Sequence, residues 1–211
     1  MPLDEPLYPV NLRLKGARCL VVGGGEVALS KVRGLLEVGA RVHVIAPDVV
    51  DELASLDGVT IDTRAFSPGD VAGHRIVITA TGDPDVNKAV YVDAEAAGVW
   101  VNAADDPDNC TFTLPARLRR GPLLVTFGTG GASPALAKWL RRRYADEFGP
   151  EYEVLIELLA DVRADLVARG QSVDPAGWQR ALDSGMLELI REGDLAEAKE
   201  RLQACLSSSS G

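Results

Sequence analysis

Two stretches of this chain have residue types and spacing suited to chemistry. The first is Cys19-Leu-Val-Val-Gly-Gly-Gly-Glu-Val-Ala28, an apolar run that turns through three glycines into a helical pattern. Gly23, Gly25 and Ala28 fill the three slots of a G-x-G-x-x-G/A dinucleotide fingerprint, and each slot has a steric reason. The first glycine makes the tight turn, the second lets the backbone approach a pyrophosphate, and the small third residue lets helix pack on strand. Gly24, Glu26 and Val27 complete the turn, and the helix start offers N–H groups and a positive dipole end to phosphate. The second stretch is Asn102-Ala-Ala-Asp-Asp-Pro-Asp108, which crowds Asp105, Asp106 and Asp108 together. Neighbouring carboxylates raise one another's pKa, and one tuned in this way can move a proton beside a nicotinamide. On residue chemistry alone, a solvated Asp/Pro turn is the preferred reading of this stretch.

The elements around these stretches decide what they face. Cys19 to Val22 is apolar at every position, as in a parallel strand covered on both sides. Val27, Ala28, Val32, Leu35 and Leu36 then follow helical spacing as far as Gly39, and Arg41 to Ala46 is a second strand, which completes a βαβ unit. The acid that would hold the ribose hydroxyls is expected at the end of that strand. Ala46 stands there, and Asp48 follows only after Pro47, so NAD over NADP is a lean. Tyr8 to Leu14 reads as an edge strand or a lead-in, Asp48 to Leu56 as a short helix, and Val59 to Arg64 and Arg75 to Ala80 as further strands. Asp83 and Pro84 cap a helix whose buried stripe is Val86, Val90, Ala94 and Ala97, and Trp100 to Asn102 is the next strand. This alternation predicts an α/β fold over residues 1–114: a Rossmann-type, mostly parallel sheet with helices on both faces. The Gly23 turn, Thr79 to Asp83 with Thr81, and Asn102 to Asp106 then share the rim at the carboxyl ends of the strands.

Beyond Pro115 the character changes. Ala116-Arg-Leu-Arg-Arg120 is basic, Leu123 to Phe127 is a strand, and Gly128-Thr-Gly-Gly-Ala-Ser-Pro134 is a second glycine turn ahead of a helix that carries Lys138 and Arg141 to Arg143. A polyanionic substrate would account for basic residues gathered in an acidic protein, and a solvated helix flank is the plainer account. Residues 115–148 form a central segment. Residues 149–206 are expected to be helical, in three helices over Glu151 to Gly170, Pro175 to Ile190 and Asp194 to Leu206. Residues 207–211 are expected to be a disordered tail.

The 211 residues carry a formal net charge of -9, which argues against a general nucleic-acid binder. Three scattered cysteines and two histidines indicate neither a zinc site nor a disulfide framework, and no metal ligand set is expected. No stretch approaches the roughly 20 apolar residues of a membrane span, and the first residues lack a signal-peptide pattern, so a cytoplasmic location is expected.

Val22-Gly-Gly-Gly-Glu-Val-Ala28, Thr79-Ala-Thr-Gly-Asp-Pro-Asp-Val-Asn87, Val101-Asn-Ala-Ala-Asp-Asp-Pro107 with Phe112, and Gly130-Gly-Ala-Ser-Pro-Ala-Leu-Ala137 together resemble the precorrin-2 dehydrogenases. That family includes enzymes that are also sirohydrochlorin ferrochelatases, and the amino-terminal part of siroheme synthase. The resemblance covers roughly residues 8–145. It implies an NAD-binding Rossmann domain, a central segment that interlocks two subunits as a homodimer, and a helical carboxyl-terminal domain. It also implies the reaction: precorrin-2, a tetrapyrrole bearing eight carboxylates, gives a hydride to NAD and becomes sirohydrochlorin, with iron insertion left open. Asp105 takes the role of general base or substrate-orienting carboxylate, and Asn102 stands with the substrate. Arg117, Arg119 and Arg120, with the turn that includes Thr129, Gly130, Gly131 and Ser133, become candidates for the substrate carboxylates. Thr129 stands where family members often have Ser. No methyltransferase stretch follows, so methylation of the precursor is expected of another protein. The rivals are a non-catalytic NAD-binding regulatory module and, third, a dehydrogenase of a small metabolite.

Overall fold

The computed structural model describes residues 6–171 and 175–207. The apolar runs form β1 (Arg18–Val22), β2 (Arg41–Ala46), β3 (Val59–Thr63), β4 (Ile76–Thr79) and β5 (Trp100–Ala103), one parallel sheet in the order β3-β2-β1-β4-β5. The chain steps from β1 out to β3 and then crosses back to β4 on the other side of β1. That reversal opens a crevice at the carboxyl ends of β1 and β4, where open α/β sheets hold their ligands.

Alternation along β1 explains why it is apolar throughout. Cys19 and Val21 pack with Ala28, Leu29, Val32 and Leu35 of α1 (Glu26–Glu37), while Leu20 and Val22 pack with Val90 and Ala94 of α3 (Pro84–Ala97). Removing one such side chain to alanine costs about 2–5 kcal/mol. Burial pushes the Cys19 thiol up to about 11, so it serves as a packing residue. The Asp83 carboxylate caps α3, accepting from the N–H groups of Asp85 (2.9 Å) and Val86 (3.3 Å), with Pro84 opening the helix. A shorter helix, α2 (Asp51–Ala54), follows β2.

Three local expectations change. Residues 6–14 form no strand: Val10 and Leu12 are exposed and only Leu14 reaches the core, because none of these residues finds a sheet edge to pair with. Val27 is 48% exposed at the first turn of α1. The buried face of α3 is Asn87, Val90 and Ala94, with Ala97 left exposed.

Residues to 114, with 129–133, make one compact unit, and residues 115–128 with those from 134 onward make another. In the second, β6 (Ala116–Arg120) and β7 (Leu123–Phe127) form an antiparallel hairpin, so the basic run is a strand that turns Leu118 inward. The helices are α4 (Pro134–Arg143), α5 (Glu151–Ala168), α6 (Pro175–Leu182), α7 (Met186–Glu192) and α8 (Leu195–Ser207). Leu155, Val162, Ala181, Met186, Ile190, Ala198 and Leu202 are the buried core of the last four. The expected single helix from Pro175 to Ile190 is two, broken where Gly185 takes φ +82° and Arg201 donates to the Ser184 carbonyl (2.7 Å). Helix α8 includes Ser207, the first residue of the expected tail, and 208–211 lie outside the described residues. Among the described residues no helix is long and apolar enough to cross a membrane, and no cluster of three or more His, Cys, Asp or Glu could hold a metal.

His43 in β2 and His74 ahead of β4 stack with ring centroids 5.6 Å apart, and His74 is buried. Burial, opposed by the Val71 carbonyl and reinforced by the charges of Arg18 and His43, holds the His74 pKa below its ordinary 6.5. The unfolded chain therefore takes up a proton that the folded chain refuses. The His74 contribution is intact above about pH 6.5, and stability falls as pH drops from there towards the lowered folded value. Thermal unfolding between about pH 8 and about pH 5 should show this fall, and His74→Gln should flatten it. An unchanged slope in the variant would assign the acid sensitivity to other groups.

Candidate functional site

The three glycines after β1 have different jobs. Gly23 donates to the Ile45 carbonyl (2.9 Å) and takes φ +119°, and a Cβ there would fall on the Ala80 carbonyl. Gly24 accepts from Val50 N–H (2.9 Å), and a Cβ on it would strike the Asp48 carbonyl and lie 2.9 Å from the Val49 Cα. Both are glycine because the end of β1 is pressed between two loops. Gly25 has extended backbone at φ -86°, and a Cβ there would meet nothing within 4 Å. It faces open space.

Helix α1 starts at that opening without a side-chain cap. Its first hydrogen bond runs from Leu29 N–H to the Gly25 carbonyl (2.9 Å), which leaves the N–H groups of Glu26, Val27 and Ala28 outside the helical ladder. Gly25, Glu26 and Val27 are exposed, while Ala28 is fully buried against β1. Donors, dipole end and free volume coincide, so these residues fit a dinucleotide pyrophosphate. Asp48 is exposed in the β2–α2 loop and its backbone abuts Gly24, so the acid lies beside the glycine turn although it stands two residues past the strand.

The β4–α3 loop forms the other wall, and its organiser is Asn87. The Asn87 Oδ1 accepts from the hydroxyls of Thr79 (2.5 Å) and Thr81 (2.7 Å), and its Nδ2 donates to the Thr81 carbonyl (3.4 Å). Thr81 is thus fixed from within its own loop. The sequence shows Asn87 as the last residue of the Thr79 to Asn87 motif without assigning it a role, yet its spacing gives a signal: Asn87, Val90 and Ala94 stand at i, i+3 and i+7, which puts a polar residue on the buried helix face.

The Asp105 loop joins the same rim, because Ala104 N–H donates to the Thr79 carbonyl (2.8 Å). Asp105 is exposed at φ +60°, the one non-glycine residue with positive φ among those described. Aspartate tolerates this conformation at a cost of about 1 kcal/mol, so the loop holds its carboxylate in a defined, strained place. Cys110 clasps the loop. Its sulfur accepts from Ala103 N–H (3.2 Å) and Asn102 Nδ2 (3.5 Å), and the thiol lies 3.3 Å from the Asp106 carbonyl. Burial first, and the Asp106 charge, raise the Cys110 pKa against the Ala103 hydrogen bond, which keeps a proton available to donate. Asn102 is buried, and its Nδ2 also donates to the Phe112 carbonyl (2.9 Å). Asn109 Nδ2 donates to the Asp106 carboxylate (2.6 Å), which separates Asp106 from Asp105 in role.

The basic candidates lie on β6, where alternation splits them. Arg117 and Arg119 are exposed on one face, whereas Arg120 on the other donates to the Ala145 carbonyl (2.8 Å) and is committed to its own unit. In the second glycine turn the Thr129 hydroxyl accepts from Ser133 N–H (3.1 Å) and its carbonyl from Ala132 N–H (2.9 Å), closing a loop around Gly130 and Gly131. The Thr129 hydroxyl makes this hydrogen bond with its extra methyl present. This turn belongs to the unit of the parallel sheet.

Two glycine variants separate packing from binding. Gly24→Ala should lose at least about 2 kcal/mol of stability, because backbone must move to admit the Cβ. Gly25→Ala should unfold within about 1 kcal/mol of the parent. It should nevertheless bind NAD at least about tenfold more weakly, as its methyl fills the volume the pyrophosphate needs. Calorimetric NAD titration with thermal unfolding measures both, and equal NAD affinity in Gly25→Ala would move the nucleotide elsewhere.

This chain is similar to known proteins. A family described as putative NAD(P)-binding matches residues 10–116. Siroheme synthase of Nitrosomonas europaea is 37% identical over 207 residues, 95% of this chain and 44% of the relative, and that of Methylococcus capsulatus is 39% identical over 201 residues, 92% and 42%. The chain therefore spans less than half the length of these curated relatives. A solved structure described as SirC, precorrin-2 dehydrogenase, superposes with a TM-score of 0.73 at 28% identity, covering 94% of this chain and 98% of that one. With its fingerprint glycines, parallel sheet and uncapped helix start inside the matched region, the chain belongs to the putative NAD(P)-binding family.

Proposed function

We propose that this chain is an NAD-dependent dehydrogenase that oxidises precorrin-2 to sirohydrochlorin, a step of siroheme biosynthesis. The observation that carries the proposal is the strained Asp105, held at the rim that carries the open glycine turn, in a fold that superposes along nearly the full length of a precorrin-2 dehydrogenase. Bound NAD would supply the hydride acceptor. The protein's part is to hold the pyrophosphate at Gly25 to Ala28, to set the β4–α3 loop through Asn87, and to take up a proton. Asp105 is the proposed general base or orienting carboxylate, and Asn102 fixes the strand from which its loop leaves. The substrate carboxylates are proposed to meet Arg117, Arg119 and the Thr129 to Ser133 turn, with Arg120 holding the hairpin that presents the first two. Asp48, beside Gly24, is proposed to take the ribose hydroxyls, which favours NAD over NADP.

The proposed division of labour is a Rossmann domain over 1–114, a central dimerising segment over 115–148 and a helical domain over 149–206, working in the cytoplasm as a homodimer. Support for the dimer lies on α4, where Leu136 and Trp139, about one turn apart, are 46% and 48% exposed. Apolar groups at that spacing suit burial against a second copy. Trp139→Glu should shift sedimentation from dimer to monomer, and a parent protein that sediments as a monomer removes this part of the proposal.

The chemistry is tested anaerobically with the protein, precorrin-2 and NAD, following NADH and sirohydrochlorin together. Equal appearance of both is expected. Asp105→Asn should bind NAD as the parent does and lose at least about 100-fold in turnover, the scale of a lost general base. NAD binding without turnover in the parent would instead favour a regulatory nucleotide-binding module. Ferrous ion added after oxidation, against a protein-free control, decides whether the chain also accelerates metal insertion.

A further inference from the structure

At the amino ends of the strands, opposite the nucleotide rim, three arginines stand in a row. Arg18 and Arg41 are register partners on β1 and β2. Arg75 N–H donates to the Arg18 carbonyl (2.7 Å), and the next pair along is Cys19 with Ile76, so Arg75 is level with Arg18 on the other side. Aligned residues of parallel strands project to one face, about 4.8 Å apart. The three side chains therefore share the face of Leu20 and Val77. All three are exposed.

Like charges on aligned positions of neighbouring strands are destabilising unless something neutralises them. Among the described residues, no carboxylate pairs with Arg18, Arg41 or Arg75. The nearby acids are already engaged. Asp70 accepts two hydrogen bonds from Arg64 (2.7 and 2.8 Å), and the Asp62 carboxylate lies 3.3 Å from His43 Nε2 and 3.2 Å from Arg64 Nη2. In a chain of net charge -9 the row is an uncompensated positive site. It also has a shape: Arg18 and Arg41, with Val42, His43, Thr60 and Asp62, line a cleft of about 380 Å³. That volume suits a small metabolite.

We propose that this cleft is a second anion site that takes the phosphate group of a small phosphorylated ligand, distinct from the nucleotide turn at the other end of the sheet. Arg18 and Arg41 supply paired N–H forks, the geometry that phosphate oxygens accept best, and the Thr60 hydroxyl offers a further donor. Arg75 flanks the pair and adds charge. Asp62, which shares Arg64 with Asp70, places one carboxylate on the cleft wall and limits the pocket to a compact anion held on the arginine side.

The test follows the arginine Nε–H resonances of the 211-residue chain while inorganic phosphate is added at constant ionic strength, with chloride and acetate as parallel titrations. Saturable shifts of the Arg18 and Arg41 signals with phosphate, and not with the other two anions, are expected. Arg18→Gln with Arg41→Gln should weaken the phosphate response at least tenfold, and the corresponding pair of Lys variants should fall between, keeping charge but losing the fork. Should the Gln pair fail to fold, the parent titration and the Lys pair still decide. A linear response, an equal response to chloride or acetate, or an undiminished response in a folded Gln pair would overturn the proposal. None of these readouts depends on dehydrogenase activity.

Discussion

The close approach of the end of β1 to two neighbouring loops is the constraint on which the nucleotide rim depends. Any Cβ at Gly23 would displace the Ala80 backbone, and any at Gly24 would displace Asp48 and Val49. Those contacts bring the β4–α3 and β2–α2 loops to the crevice created where the strand order reverses. The space that remains open lies in front of Gly25 and the uncapped start of α1. The candidate cofactor cradle is therefore the volume left when backbone packs against backbone on the other two sides. Side chains shape it little.

Around that cradle, short polar clasps replace extended secondary structure. Asn87 gathers two threonine hydroxyls and so defines the loop beyond β4, while Cys110 gathers the backbone of Ala103 and Asp106 and so defines the loop beyond β5. Each clasp is buried or half-buried, where a lost hydrogen bond leaves its partner unsatisfied at about 1–3 kcal/mol. Rigidity in these loops is what allows Asp105 to sit at φ +60°. An unsupported loop would relax the residue into an ordinary conformation.

The two ends of the sheet have different electrostatics. The carboxyl end relies on N–H groups and a helix dipole, with acids nearby at Glu26, Asp48 and Asp105. The amino end carries formal positive charge in a row of arginines at matched register. Parallel pairing produces that row automatically, because each of three strands begins next to an arginine and the register aligns the beginnings.

Much of this was legible in the sequence. Runs apolar at every position identified the buried strands, since a strand covered on both sides has no polar face to show. Asp83 and Pro84 marked the start of α3 because local hydrogen bonding fixes it, and the fingerprint glycines marked the turn because sterics there admit no side chain. Longer-range decisions were not legible. Whether Tyr8 to Leu14 pairs with a sheet, whether the helix from Pro175 continues past Gly185, and which face of β6 Arg120 takes all depend on partners distant in sequence. The reason Gly24 must be glycine is likewise a loop more than twenty residues away. Sequence by itself determined the strands, the helix starts and the glycine turn between β1 and α1, because those follow from period and backbone sterics. Tertiary structure alone decided the strained setting of Asp105, the clasps of Asn87 and Cys110 and the arginine row, because each arises from register and close packing between segments that the sequence keeps apart.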